Sequence, residues 1–401
     1  MTSREGITVI EGGEVLTPLE RIKDGRVLVR GARIVAVGKA REVPCPAGAR
    51  RINAEGGIVI PGLMDTHLCG LAGRDCREGA DALLHIARNL PRFGVTSFLP
   101  TLHADVSTPE TLQSIRHVVA ACRVRSDGAQ LLGLHLEGPY LNPASAGIAV
   151  EGNLFRPEPR RDRKFIETAE GLLRMVTLSP ELPGAIPLIR MLRSEGITVA
   201  GSHSLAGAKQ VDQAVKAGMR HITHIFNAMG DRSLAEPGVL APGFSDIVLL
   251  DDRLTVSVIV DGVHVPDLLV RLLVHVKGKE RIVLATDSFM GTGMPLGQFT
   301  YPDGSRVTTA DGRAHRLVKN GWLAGGIIAL NRAVANMARV PGVELPHAVQ
   351  MASTNPARLI GMQRRKGLIA PKNDADLAIL DKELSARMTM VGGKVVYSKV
   401  T

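Results

Sequence analysis

Hydrophobic and polar positions keep two different rhythms along this chain. At both ends, short runs alternate apolar and polar residues between glycine turns. Examples are GITVIEGGEVLTP and GRVLVRGARIVAVG near the start and ARMTMVGGKVVYSK near the finish. Alternation with a period of two, cut by Gly and Pro, predicts half-buried strands. Residues 1–55 and 363–401 are therefore expected to form one small, discontinuous β domain, sandwich-like and built from both termini.

Residues 56–362 follow another pattern. Apolar strand candidates recur at 58–64, 96–100, 131–136, 175–178, 198–201, 221–225, 256–260 and 282–286. Between them lie stretches such as GADALLHIARNLPRFG, TPETLQSIRHVVAACR and PDLLVRLLVHVKG, with helical spacing and a Gly near the end. Eight such strand–helix units predict an α/β fold, a (β/α)8 TIM-type barrel. The repeated Asp-Gly and Gly turns of TYPDGSRVTTADGRAHRLVKNG predict a hairpin excursion after the last strand.

Composition narrows the function classes. The chain has 401 residues, is 45% hydrophobic and only 3% aromatic, so aliphatic side chains must fill its core. No apolar run approaches the ~20 residues of a membrane span, and the first residues lack a signal peptide's apolar stretch. Cys45, Cys69, Cys76 and Cys122 show no framework spacing, as expected of a reducing, cytoplasmic setting without disulfides. The net charge of +10 is dispersed. Without interleaved aromatic residues it does not point to nucleic acid; it suits a soluble basic enzyme, with attraction of anionic substrates as the functional alternative.

In such a barrel, functional groups sit at the C-terminal ends of the strands. Strand one ends in Asp65, His67 and Cys69. Strand three ends in His135 and Glu137, strand five in His203, and strand six in His224 and Asn227. Strand seven ends in Asp261 and His264, and strand eight in Asp287. Glu137, His203 and His224 converging from three strands make an open three-ligand site for a divalent ion, with a position left for water. Zn2+ is the first expectation, with Fe2+, Mn2+ or Co2+ as alternatives. Asp287 is placed to take the water's proton and pass it to a leaving amine. His264 is placed to donate to a carbonyl oxygen as charge develops. The chemistry described is hydrolysis of an amide.

The segments GLHLEGPYLNP, THIFNAM, EPGVLA, DGVHV, ATDSFMGTGMPLG, STNPARLIG and KGLIAPKNDADLAILD together resemble the amidohydrolase superfamily, and within it the N-acetylglucosamine-6-phosphate deacetylase family. The resemblance spans nearly the whole chain. It implies that Glu137, His203 and His224 are metal ligands, that Asp287 is the catalytic aspartate and that His264 meets the substrate carbonyl. It also implies that Asn227 and Ala228 hold the substrate phosphate, and that the enzyme is a homodimer deacetylating an N-acetyl amino sugar.

This sequence also departs from the family pattern. Ala149 stands where the family has a sugar-contacting His, and Ala235 where it has a phosphate-binding Arg. Arg232, three residues earlier, is the candidate replacement. A non-phosphorylated N-acyl or cyclic amide substrate therefore stays open, as does a non-catalytic ligand-binding relative. His135 shares a face with Glu137 and is expected either to support it or to touch substrate. His67 and Cys69 occupy the place where relatives bind a second metal. One ion per subunit is favoured over two, with this pair lining the first ion's pocket.

Overall fold

The computed structural model describes residues 6–17, 20–103, 107–124, 126–147, 154–230, 233–301, 304–310, 313–316 and 323–399. Among them, eight parallel strands follow one another in chain order: Leu63–Leu68, Val95–His103, Leu134–Glu137, Leu173–Leu178, Thr198–Gly201, His221–Ile222, Thr255–Ile259 and Ile282–Ala285. Each is hydrogen-bonded to the next. They are barrel strands one to eight below. Strand eight returns to strand one through a parallel bridge between Leu68 and Ser288. The Asp287 N–H donates to the His67 carbonyl at 3.0 Å and the Cys69 N–H to the Ser288 carbonyl at 2.9 Å. This nearly closed ring is the expected α/β barrel.

The amino-acid pattern explains the ring. Strands packed on both faces must be apolar throughout, and barrel strand two, VTSFLPTLH, is buried along all but its last residue. The helices carry an apolar stripe instead. In Thr108–Arg123 the buried Leu112, Ile115, Val118 and Val119 recur at helical spacing, and Ser107 and Glu110 form a capping box at its start.

The barrel interior is not wholly apolar. His135 lies between Thr101 (3.1 Å) and Thr177 (2.8 Å). The hydroxyls of Thr177 and Thr223 are 2.8 Å apart, and Thr286 donates to Asp65 at 2.6 Å. These groups satisfy one another and form a polar floor beneath the strand ends.

The second large sheet takes strands from both ends of the chain. Its order is Lys394–Ser398, Ala386–Val391, Leu377–Leu380, Ile58–Pro61, Ile7–Leu16, Arg21–Arg30 and Arg33–Lys39, with Arg50–Asn53 also paired to Ile7–Leu16. Val27 and Ile34 from one side share a core with Met388 and Met390 from the other. Lys366 is buried between Asp374, at 3.3 Å, and Asp376, which makes Asp376 a structural partner.

One strand expectation is corrected. The apolar run 58–64 is two strands. Ile58–Pro61 pairs with Leu377–Leu380 and with Glu14 and Val15 in the small sheet, whereas Leu63 begins the barrel. Gly62 is the junction. A Cβ there would lie 2.1 Å from Thr96 Oγ1, so only glycine lets the chain pass this close to barrel strand two.

After barrel strand eight, the expected excursion is a three-stranded antiparallel sheet of Gln298–Thr300, Arg306–Ala310 and Arg313–Arg316. It carries Tyr301 to the barrel mouth. Among the described residues no helix is long and apolar enough to cross a membrane.

Candidate active site and metal centre

The C-terminal mouth of the barrel holds a cavity of about 230 Å³, lined by Cys69, His103, Glu137, His203, His224, Asn227, Ala228, His264, Asp287, Tyr301 and their neighbours. A larger groove of about 650 Å³ lies between the small sheet and the helix Thr108–Arg123, but none of the strand-end groups reaches it. Chemistry rather than size therefore identifies the site.

Three of the functional residues leave their strands in an unusual way. His203, His224 and Asp287 have φ values of 49°, 33° and 47°, in the left-handed region that non-glycine residues rarely adopt. Phe226 and Ala228 do the same at 76° and 48°. Such conformations cost energy and cluster where the surrounding structure fixes a functional geometry. Here they turn each side chain inward as its strand ends.

Glu137, His203 and His224 are all buried, and their donor atoms lie within 4.8 Å of one another. His203 Nδ1 lies 2.9 Å from the Ser145 carbonyl oxygen. A carbonyl only accepts, so Nδ1 carries a proton, and in the neutral ring Nε2 is bare. That bare nitrogen faces Glu137 Oε1 at 3.4 Å, two lone-pair atoms held towards each other. Glu137 Oε2 is buried and accepts no hydrogen bond. His224 Nε2 lies 2.9 Å from Glu137 Oε1, while its Nδ1 is 3.3 Å from Ser202 Oγ. The carboxylate only accepts, so His224 Nε2 carries a proton towards it here, one that a divalent cation would replace; with His203 Nε2 and the orphaned carboxylate oxygen beside it, this donor set fits such a cation.

His67 stands between carboxylates, with Nε2 3.2 Å from Glu137 Oε2 and 3.1 Å from Asp287 Oδ1. Neither of its ring nitrogens makes a hydrogen bond of good geometry. Burial pushes the Glu137 carboxyl up, but His67 and the other imidazoles outweigh it and hold it well below the usual range. Asp287 is likewise lowered, the His67 interaction overcoming burial. Both groups therefore stay ionised at neutral pH. Cys69 completes a second cluster with His67 and Asp287. Its Sγ lies 3.1 Å from His103 Nε2 and 3.6 Å from Asp287 Oδ1. Burial and then the neighbouring carboxylates push its thiol well up.

His264 is fixed by Asp261, with Nδ1 2.7 Å from Asp261 Oδ2. Its carbonyl accepts from Asn227 Nδ2 at 3.0 Å.

A family model described as "Amidohydrolase family" matches residues 58–396. The chain belongs to the amidohydrolase family. An N-acetylglucosamine-6-phosphate deacetylase of Bacillus subtilis (strain 168) is 31% identical over 389 residues, covering 96% of this chain and 95% of the relative. An N-acetylgalactosamine-6-phosphate deacetylase of Escherichia coli O157:H7 is 33% identical over 390 residues, covering 96% and 98%. The crystal structure of N-acetylglucosamine-6-phosphate deacetylase from Pasteurella multocida superposes with a TM-score of 0.88 at 26% identity, covering 97% of this chain and 99% of that one.

Within this amidohydrolase, Glu137, His203, His224, Asp287, His264, Asn227, Ala228 and Cys69 all line one cavity, with His67 against its carboxylates. His135 does not. It is fully buried in the polar floor with both ring nitrogens engaged by threonines, which fits the supporting one of its two expected roles and not contact with substrate. Position i−2 shares the face of Glu137 but lies one layer deeper. Arg232 and Ala149 lie outside the described residues. Tyr301, which donates to the Ala324 carbonyl at 3.0 Å, was missed, because it comes from an excursion with no barrel periodicity.

Proposed function

We propose that this amidohydrolase deacetylates an N-acetyl amino sugar, N-acetylglucosamine 6-phosphate or a relative, with one divalent ion held by Glu137, His203 and His224. The observation that carries this reading is the bare His203 Nε2 facing a buried Glu137 carboxylate, with Asp287 and His264 lining the same cavity. The N,N,O donor set suits Zn2+ first, and also Fe2+, Mn2+ or Co2+. Such an ion supplies a water made acidic near neutral pH and polarisation of the acetyl carbonyl.

The chain's own residues do the rest. Asp287 is ionised, so it accepts a proton from the attacking water and returns it to the amine nitrogen as the C–N bond breaks. His264 donates to the carbonyl oxygen as it gains charge. Ser145 and Ser202 hold the two imidazoles in place, and the rings pack edge to face with centroids 4.9 Å apart. The products are acetate and the free amino sugar. Cys69 lines this pocket, and His67 lies against its carboxylates. A homodimer in the cytoplasm belongs to the same reading. It is supported by exposed Leu250, Leu268 and Leu272 on the adjoining helices Phe244–Leu250 and Asp267–Lys277, and by four free thiols.

One observation favours a second reading, a substrate without phosphate. One N–H of the Asn227 amide is taken by the His264 carbonyl, and its acceptor oxygen, which a phosphate cannot use, is buried and unpaired. Among the described residues lining the cavity there is no Arg or Lys. Rates on N-acetylglucosamine 6-phosphate and on plain N-acetylglucosamine separate the two. If a charged group binds the phosphate, its removal lowers kcat/KM by about tenfold to a hundredfold per contact. Equal kcat/KM on both sugars would establish the second reading and remove the first.

A further inference from the structure

Barrel strand seven ends in Asp261-Gly262-Val263-His264. Gly262 has a φ of 79°, in the left-handed region that glycine adopts most easily. The turn folds the segment back on its first residue. Asp261 Oδ1 accepts from the N–H groups of Val263 at 2.9 Å and His264 at 2.8 Å. Its other oxygen, Oδ2, lies 2.7 Å from His264 Nδ1. The two side chains are 1% and 7% exposed, so water does not compete for these bonds.

The charge state of the pair follows from this geometry. Burial pushes the Asp261 carboxyl up, but His264 and the two backbone donors outweigh it and hold it below the usual range. An ionised carboxylate only accepts, so Nδ1 of His264 must carry a proton. The neutral ring then has a bare Nε2 with nothing to donate to the cavity. Only the imidazolium has an Nε2 proton.

We propose that Asp261 is the positioning residue that makes His264 a donor to the substrate carbonyl only in its cationic form. This rests on the reading that His264 meets the scissile carbonyl. Among the described residues, two carboxylates bear on the ring, Asp261 in its own loop and Asp287 from barrel strand eight. Both favour the cation, and together they outweigh burial and raise the pKa of His264. Asn227 grips the backbone carbonyl of His264 and leaves the ring charge alone. Glu137, His203 and His224 share the cavity. The sign is definite: donation is complete below the raised pKa and is lost as pH rises through it.

The test is Asp261→Asn in the metal-loaded enzyme. The Asn oxygen can keep the two backbone bonds, and its NH2 then faces Nδ1, which must accept. The neutral ring now carries its proton on Nε2. In the parent protein, kcat/KM should fall about tenfold per pH unit above the His264 pKa. Asp261→Asn should be slower at neutral pH by roughly tenfold to a hundredfold, because a neutral donor is weaker than a charged one. It should also lack that alkaline fall. An unchanged alkaline limb in Asp261→Asn would overturn the proposal.

Nitrogen NMR of the labelled parent protein above the transition needs neither turnover nor the variant. It should show the neutral His264 ring protonated on Nδ1, and protonation on Nε2 would overturn the proposal. If no acetate is released at any pH, the deacetylase reading fails, while the NMR result still decides the tautomer.

Discussion

Asp287→Asn should lower kcat by about 10³-fold, within the ~10²–10⁴-fold span of general acid–base catalysis, and leave the bound metal in place. The substitution removes the proton acceptor and the negative charge that faces His67 Nε2 at 3.1 Å, and it leaves the backbone as it is. Asn tolerates the left-handed φ of 47° that this position requires. The backbone bond from the residue 287 N–H to the His67 carbonyl at 3.0 Å does not depend on the side chain, nor does the one from Gly326 to its carbonyl at 2.8 Å. The Glu137, His203 and His224 donors do not include residue 287, so metal content should match that of the parent protein. Steady-state rates and metal content on one sample check both halves. Unchanged turnover would exclude Asp287 as the proton carrier.

Glu137→Gln should abolish metal binding and turnover together. The carboxylate supplies the triad's only negative charge, and its two oxygens meet four imidazoles: His203 and His224 at Oε1, His67 and His103 at Oε2. An amide is nearly the same shape but carries no charge, and one of its ends is a donor. The difference also appears in stability. A metal at a hundred times its Kd stabilises the parent protein by about 2.7 kcal/mol. Unfolding curves with and without chelator should therefore separate for the parent and coincide for Glu137→Gln. A variant that still gains stability from the metal would mean that the ion is held elsewhere.

The sequence made the barrel readable because strand-and-helix alternation leaves few other folds, and because ligand-type residues ended its strands. Details set by close contacts stayed hidden. An apolar run says nothing of where it changes sheets, so the break at Gly62 could be seen only once Thr96 was packed beside it. The apolar run expected as strand two stops at Pro100. The strand in fact continues to His103, whose Nδ1 lies 3.2 Å from Glu137 Oε2. His103, past the end of that run, consequently offered itself only as an outlying candidate. Strand six is shorter than its apolar run implied, because His224 turns into the left-handed region. Asp261 was visible at a strand end, but its role depends on a turn of four residues that no period describes.

The central claim is that hydrolysis requires one divalent ion at Glu137, His203 and His224. Stripping the metal and titrating a divalent ion back, while measuring acetate release from N-acetylglucosamine 6-phosphate, tests it most directly. The expected result is no release from the stripped protein and a linear recovery that saturates at about one ion per chain. Full turnover in stripped protein, or none in replete protein on this or any other N-acyl substrate, would contradict it.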